Sequence, residues 1–175
     1  MTQEFNACAK LVNEEDYNAF SLQYEGLLKE GLDPFKEMLK FQLKLQVDLN
    51  TKLPYLNPNP TELKTIGEKI DWQKKNFDAI MDEFRELLTS MGGMSNGSKK
   101  ASAAWKTWKT DHQKIRETEF ESYSNEDRLE ILFELIDIWH FMMNMFLGLN
   151  MSAKDIYILY MIKNKENLRR YASGY

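Results

Sequence analysis

A single cysteine, Cys8, in 175 residues excludes an intramolecular disulfide and any cysteine-rich zinc site. Histidine is nearly as scarce, and His112 and His140 alone cannot build a histidine-rich metal centre. Four prolines and eight glycines leave long stretches open to helix. Three of those prolines, Pro54, Pro58 and Pro60, sit together in the segment LPYLNPNP. No alternating apolar pattern of useful length marks a strand. Charge of one sign is also missing: 23 basic against 27 acidic residues give −4, which excludes a polybasic nucleic-acid binder. The opening MTQEFNACAK has no basic start followed by an apolar run, so no signal peptide is expected. The expectation is a soluble, cytoplasmic chain with one domain over residues 1–175.

A hydrophobic fraction of 43% and an aromatic fraction of 13% are enough for a packed core. The charges are unevenly placed. Residues 99–116 carry a local +5 and residues 163–175 a local +3, against −12 over the rest. Acidic helices beside two basic segments suit a ligand that brings both metal and phosphate.

Periodicity predicts an all-α helix bundle. Asp33-Pro34 reads as a helix cap followed by proline at the first helical position, with the helix running to about Asn50. LPYLNPNP is a loop, and Pro60 is expected to open the next helix. A long periodic stretch then places Phe77, Ile80, Met81, Phe84, Leu87, Leu88 and Met91 on one face, expected to be the core face, and stops at Gly92-Gly93. Ser124 or Asn125 caps a helix to Leu147, ended by Gly148. Ser152 and Asp155 have capping-box spacing and open a last helix through about Arg169. The apolar run 131–149 is nearly long enough to cross a bilayer. It contains Glu134, Asp137, His140 and Asn144, and one central Asp costs about 2.5–3.5 kcal/mol on insertion. A buried bundle helix and no membrane partner are expected.

Those four polar residues fall within about 120° of helical arc. Such a stripe is either a solvent face or an interior site that needs cations. Glu83 and Glu86 repeat the i, i+3 spacing, with Glu83 at the rim of the apolar face and Glu86 farther towards solvent. On spacing alone the pair reads first as an acidic exposed flank. Two facing pairs would supply four carboxylates, hard oxygen ligands suited to Mg²⁺ or Mn²⁺. A di-iron bundle is disfavoured, because Asp137-Ile-Trp-His140 is the sole acid-x-x-His segment. Gly92 to Lys99 reads G-x-x-x-x-G-S-K after a helix, a linker or lid and not a phosphate loop. The methionines are core filling, and Cys8 has no identifiable acid–base partner.

Glu83-Phe-Arg-Glu86 with Glu134-Leu-Ile-Asp137, Trp105-Lys-Thr-Trp108-Lys, and Lys163-Asn-x-x-Asn167-x-x-Arg170-x-x-x-Gly174-Tyr175 all occur in this chain. Together they resemble the motifs of the all-α nucleoside triphosphate pyrophosphatases, and within them the dimeric dUTPases and their phage relatives. The chain departs from the cellular pattern in a Gly/Ser-rich insert at about 92–98 and in Tyr171, where the motif has Gln. The resemblance implies Mg²⁺-dependent hydrolysis of dCTP and dUTP to dCMP or dUMP and pyrophosphate, with Mn²⁺ as a substitute ion. It implies Glu83, Glu86, Glu134 and Asp137 as metal ligands, with Glu83 also orienting or deprotonating water. Lys109, Lys163, Asn167, Arg170 and Tyr175 would hold phosphates, and Gln46, Asn50, Trp108 and His140 would line the base and sugar pocket. A homodimer without stable nucleic-acid binding is implied, working in the host cytoplasm to keep these nucleotides out of phage DNA and supply monophosphate. A house-cleaning pyrophosphatase for other or modified nucleotides is the nearer alternative. A non-enzymatic helical module binding a nucleotide or nucleic acid is the farther one.

Overall fold

The structure, a computed structural model, describes residues 12–92, 104 and 106–174. Cys8, Trp105, Tyr175 and the Gly/Ser-rich segment beyond Gly92 lie outside the described residues. Among those described the chain is all-α, as expected, with no strand. Its helices are α1 (Glu14–Lys29), α2 (Pro34–Lys52), α3 (Ile66–Ser90), α4 (His112–Arg116), α5 (Asn125–Gly148) and α6 (Ala153–Ala172). Single 3₁₀ turns occupy Pro60–Glu62 and Phe120–Ser122.

One device opens every long helix: a short polar side chain satisfies an orphan N–H of the first turn. Asp33 accepts from Phe35 N ahead of α2. An acid three residues on joins the cap at the other four starts. Asn13 with Asp16 opens α1, Thr65 with Glu68 opens α3, Ser124 with Asp127 opens α5, and Ser152 with Asp155 opens α6. Thus α3 starts at its Thr65 box and not at Pro60, which forms only a 3₁₀ turn. Ser152→Ala removes the acceptor for Asp155 N and should cost about 1 kcal/mol of stability. Chemical denaturation at constant m-value would read that loss.

The chain forms two compact units, Met1–Gly26 with Phe77–Phe141, and Leu27–Asn76 with Met142–Tyr175. In the second unit α2, the start of α3 and the end of α5 are tied by buried amides. Gln42 Nε2 donates to Asn144 Oδ1 (2.8 Å), and Asn144 Nδ2 donates to Asn76 Oδ1 (3.1 Å). Asn76 Nδ2 then donates to the Trp72 carbonyl (2.8 Å). Carbonyls near the end of α5, where intrahelical partners run out, accept from α3 side chains. Trp72 Nε1 reaches Asn144 O (2.7 Å), Gln73 Nε2 reaches Met145 O (2.9 Å), and Lys69 Nζ reaches Gly148 O (2.8 Å). The left-handed residue that turns the chain after α5 is Asn150 (φ 58), with Met151 N bonded to Phe146 O. Gly148 serves close packing instead, since a Cβ there would stand 2.3 Å from Trp72 Cδ1.

In the first unit the second half of α3 turns Glu83, Glu86, Leu87 and Ser90 inward or to the half-buried rim. The stripe expected to face the core is largely turned out, leaving Phe77, Met81, Phe84 and Met91 39–53% exposed. The two faces lie roughly 120° apart on the helix, and the one bearing the acids is the one turned inward. In α5, Ile131 and Glu134 are buried, whereas Leu132, Leu135 and Ile136 are exposed. By length and composition α5 could cross a membrane. Its buried polar residues are held within the protein, Glu134 by Ser90 and Asn144 by Asn76 and Gln42.

Candidate active site

Helical spacing brings Glu83 and Glu86 one turn apart on α3, and α5 sets Glu134 against them in the same unit. One carboxylate oxygen of each lies within 4.8 Å of those of the other two. Glu134 is only 5% exposed, and Glu83 and Glu86 are half-buried. Glu86, which its spacing left open to solvent, is half-buried and belongs to this group. Asp137, half-buried one turn beyond Glu134, stands outside this group of three but close enough to act on it electrostatically.

Burial and mutual repulsion raise all three acids. Burial pushes Glu134 furthest, from an ordinary 4.5 to about 7. The charges of Glu86, Glu83 and Asp137 push the same way, against a hydrogen bond from Ser90 Oγ (3.3 Å). Glu83 is raised by burial and then by Glu86, Asp137 and Asp82. Glu86 is raised by burial and then by Asp82 and Asp137. Three close carboxylates are costly to ionise together, and a divalent cation relieves that cost. The donor set is all hard oxygen, so these residues fit a metal ion of that preference. Ser90 carries no motif of its own in the sequence. Its one signal is position, four residues after Glu86 and seven after Glu83 on the same face.

Elsewhere in that unit, Trp108 is 73% exposed in successive turns, Lys109 N bonding Lys106 O (2.9 Å) and His112 N bonding Lys109 O (3.1 Å). Lys109 and His140 are exposed. His140 is therefore a surface residue of the polar stripe and not a core histidine.

The second unit holds the remaining candidates. Gln46 is 7% exposed. Asn50 is half-buried and its Nδ2 donates to Asn57 O (2.8 Å), pinning the proline-rich loop to α2. Lys163, Asn167 and Arg170 are exposed along one stripe of α6, at i, i+4 and i+7. Arg170 Nε and the adjacent Arg169 both bind Glu166, at 2.8–2.9 Å.

Relatives are close in sequence. The chain is 44% identical to the dCTP pyrophosphatase of Enterobacteria phage T4 over 171 residues, 98% of each chain, and 44% identical to that of Enterobacteria phage LZ5 over the same span. A T4 protein described as a DNA replication protein is 44% identical over 94% of this chain and 41% of its own length. No protein-family model matches the chain, and no solved structure matches it.

Proposed function

Because the chain belongs to the phage dCTP pyrophosphatase family, we propose that it hydrolyses dCTP and dUTP to the monophosphate and pyrophosphate, with Mg²⁺ at its acidic cluster. The observation that carries the metal half of this reading is the convergence of Glu83, Glu86 and Glu134 within 4.8 Å. Bound there, the cation would offset the triphosphate charge and make an attacking water more acidic. Glu83, raised from its ordinary value by burial and the neighbouring acids, is assigned to orient that water or accept its proton. Glu86, Glu134 and Asp137 complete the negative charge that holds the ion, and Mn²⁺ is the natural substitute.

Lys109, Lys163, Asn167, Arg170 and Tyr175 are assigned to phosphate oxygens. Arg170 engages Glu166 through Nε, so its terminal nitrogens are the ones to bind phosphate. Gln46, Asn50, Trp108 and His140 are assigned to base and sugar. The Gln46 amide would pair with the pyrimidine edge. Asn50 keeps its Oδ1 for that work. The whole chain, 1–175, is proposed to act as one catalytic domain, as a homodimer, in the cytoplasm of an infected host. There it would keep dCTP and dUTP out of viral DNA and supply the monophosphate.

The test is pyrophosphate release from a panel of nucleoside triphosphates with Mg²⁺ or with a chelator. Release from dCTP and dUTP with Mg²⁺ alone is expected. Equal rates in chelator would sink the metal assignment, and a preference for other or modified nucleotides would favour the house-cleaning alternative. Asp137→Asn should lower turnover by about tenfold, less than removal of any charge within the group of three, because Asp137 stands outside it. Its kcat at saturating Mg²⁺ gives that comparison.

A further inference from the structure

A serine or threonine hydroxyl in a helix commonly bonds the carbonyl one turn back. Thr89 does so, its Oγ1 donating to Arg85 O (2.7 Å), and Thr51 does the same to Val47 O (3.0 Å). Ser90, the next residue, does not. Its Oγ crosses to α5 and donates to Glu134 Oε1 (3.3 Å). Both residues are buried, Ser90 at 3% and Glu134 at 5% exposure, so little water competes for the pair. The contact is longer than a full-strength O–H···O bond, and its value is direction more than strength. A glutamate's terminal torsion is broad and two-fold, so its two oxygens exchange places readily. The Ser90 hydroxyl engages Oε1 and leaves Oε2 for another partner.

Ser90 is the last residue of α3, where helices fray. Here that end is tied down. Met91 N keeps its bond to Leu87 O (2.9 Å), and Tyr123 Oη donates to Met91 O (2.5 Å). Tyr123 directly precedes the Ser124 cap of α5, so the end of α3 is fastened to the start of the helix that carries Glu134. The hydroxyl is thus presented from a fixed helix end, in the same unit as the three glutamates. Packing alone gives no reason for serine, because alanine is as small and the better helix former.

We propose that Ser90 is a positioning residue of the metal centre: its hydroxyl sets the plane of the Glu134 carboxylate and so presents Oε2 to a divalent cation. The inference rests on the reading of the acidic cluster as that centre. A group that holds a ligand without touching the ion is worth about ten- to a hundredfold in metal affinity.

The test is titration of the nucleotide-free protein with Mn²⁺ alone, with free ion read by electron paramagnetic resonance, beside the Mg²⁺ dependence of pyrophosphate release from dCTP. Ser90→Ala should weaken Mn²⁺ binding by about tenfold and raise the Mg²⁺ needed for half-maximal rate by a similar factor. Helicity, and KM for dCTP at saturating Mg²⁺, should stay as in wild type. Ser90→Cys fills the same space with a poor donor and should behave like Ser90→Ala, whereas Ser90→Thr keeps the hydroxyl and should restore affinity. Thr89→Ala, which loses only a bond within its own helix, is the matched control and should bind as wild type. Wild-type affinity in Ser90→Ala or in Ser90→Cys would overturn the proposal, and so would a Ser90→Thr no better than Ser90→Cys. That last comparison stands even where Ser90→Ala fails to fold. A wild-type protein that neither binds Mn²⁺ nor needs Mg²⁺ for turnover would overturn the metal reading itself. Normal metal binding in wild type with no effect at position 90 overturns the role of Ser90 alone.

Discussion

Glu134→Gln should remove at least about a hundredfold of the dCTP hydrolysis rate, about 2.7 kcal/mol of transition-state stabilisation, and yet stabilise the metal-free protein at pH 8. The two effects share one cause. Folding takes the Glu134 carboxyl from an ordinary 4.5 to about 7, through burial first and then the neighbouring acids. The folded state therefore binds the proton more tightly than the unfolded state. Stability from this group is fully present below pH 4.5 and is lost as pH rises through about 7, a loss of up to about 3 kcal/mol. Glutamine removes the charge while keeping an oxygen to accept from Ser90. In chelator at pH 8 the variant should melt up to about 10 °C above wild type, and at pH 4.5 the two should coincide. Divalent metal should raise wild-type Tm at pH 8 and leave the variant nearly unmoved. A variant less stable than wild type in chelator at pH 8, or one with normal turnover, would falsify the assignment of this carboxyl.

Gly148→Ala should be among the most damaging small substitutions in the chain, at about 2–4 kcal/mol. In most helices this change is favourable by about 1 kcal/mol, since alanine is the better helix former. Here the new methyl would stand 2.3 Å from Trp72 Cδ1 and 2.5 Å from its Nε1. The indole would have to move, giving up its 2.7 Å bond to Asn144 O and its packed site at 3% exposure. Overpacking of this kind costs about 1–3 kcal/mol, and a stranded indole N–H adds to it. Thermal unfolding should show a drop of roughly 5–15 °C. Trp72→Phe introduced with Gly148→Ala should recover part of it, because the smaller ring makes room. Failure of that rescue would place the strain elsewhere.

The helices are legible in the sequence because their signals are local. Asp33-Pro34 and the Ser152 and Asp155 pair announce their helices in a few residues, and both starts lie where expected. Thr65 and Glu68 carry the same kind of signal, masked by the more conspicuous Pro60 nearby. Helix α1 carries both signals, an Asn13 cap and a stripe of Tyr17, Phe20, Tyr24 and Leu28 at helical spacing, although none of its residues is buried. Inside and outside are harder to tell. Periodicity finds the apolar side of α3, but Phe77 and Phe84 look like core residues whether their cover lies within the chain or beyond it. Spacing identifies the acidic pairs, whereas the convergence of three of them, with Asp137 apart, depends on how α3 meets α5. Asn144 illustrates the same limit, since its place in the polar stripe hides a structural amide.

Gln42, Asn144 and Asn76 come from three helices and mate at one setting only. Apolar side chains tolerate slippage, because one greasy neighbour replaces another at little cost. Amides do not. Sliding α5 by a single turn, about 5.4 Å, would leave each of these groups facing hydrocarbon at about 1–3 kcal/mol apiece. The chain thus proofreads its own alignment: misthreaded helices are rejected by a short polar code, read once, deep in the second unit.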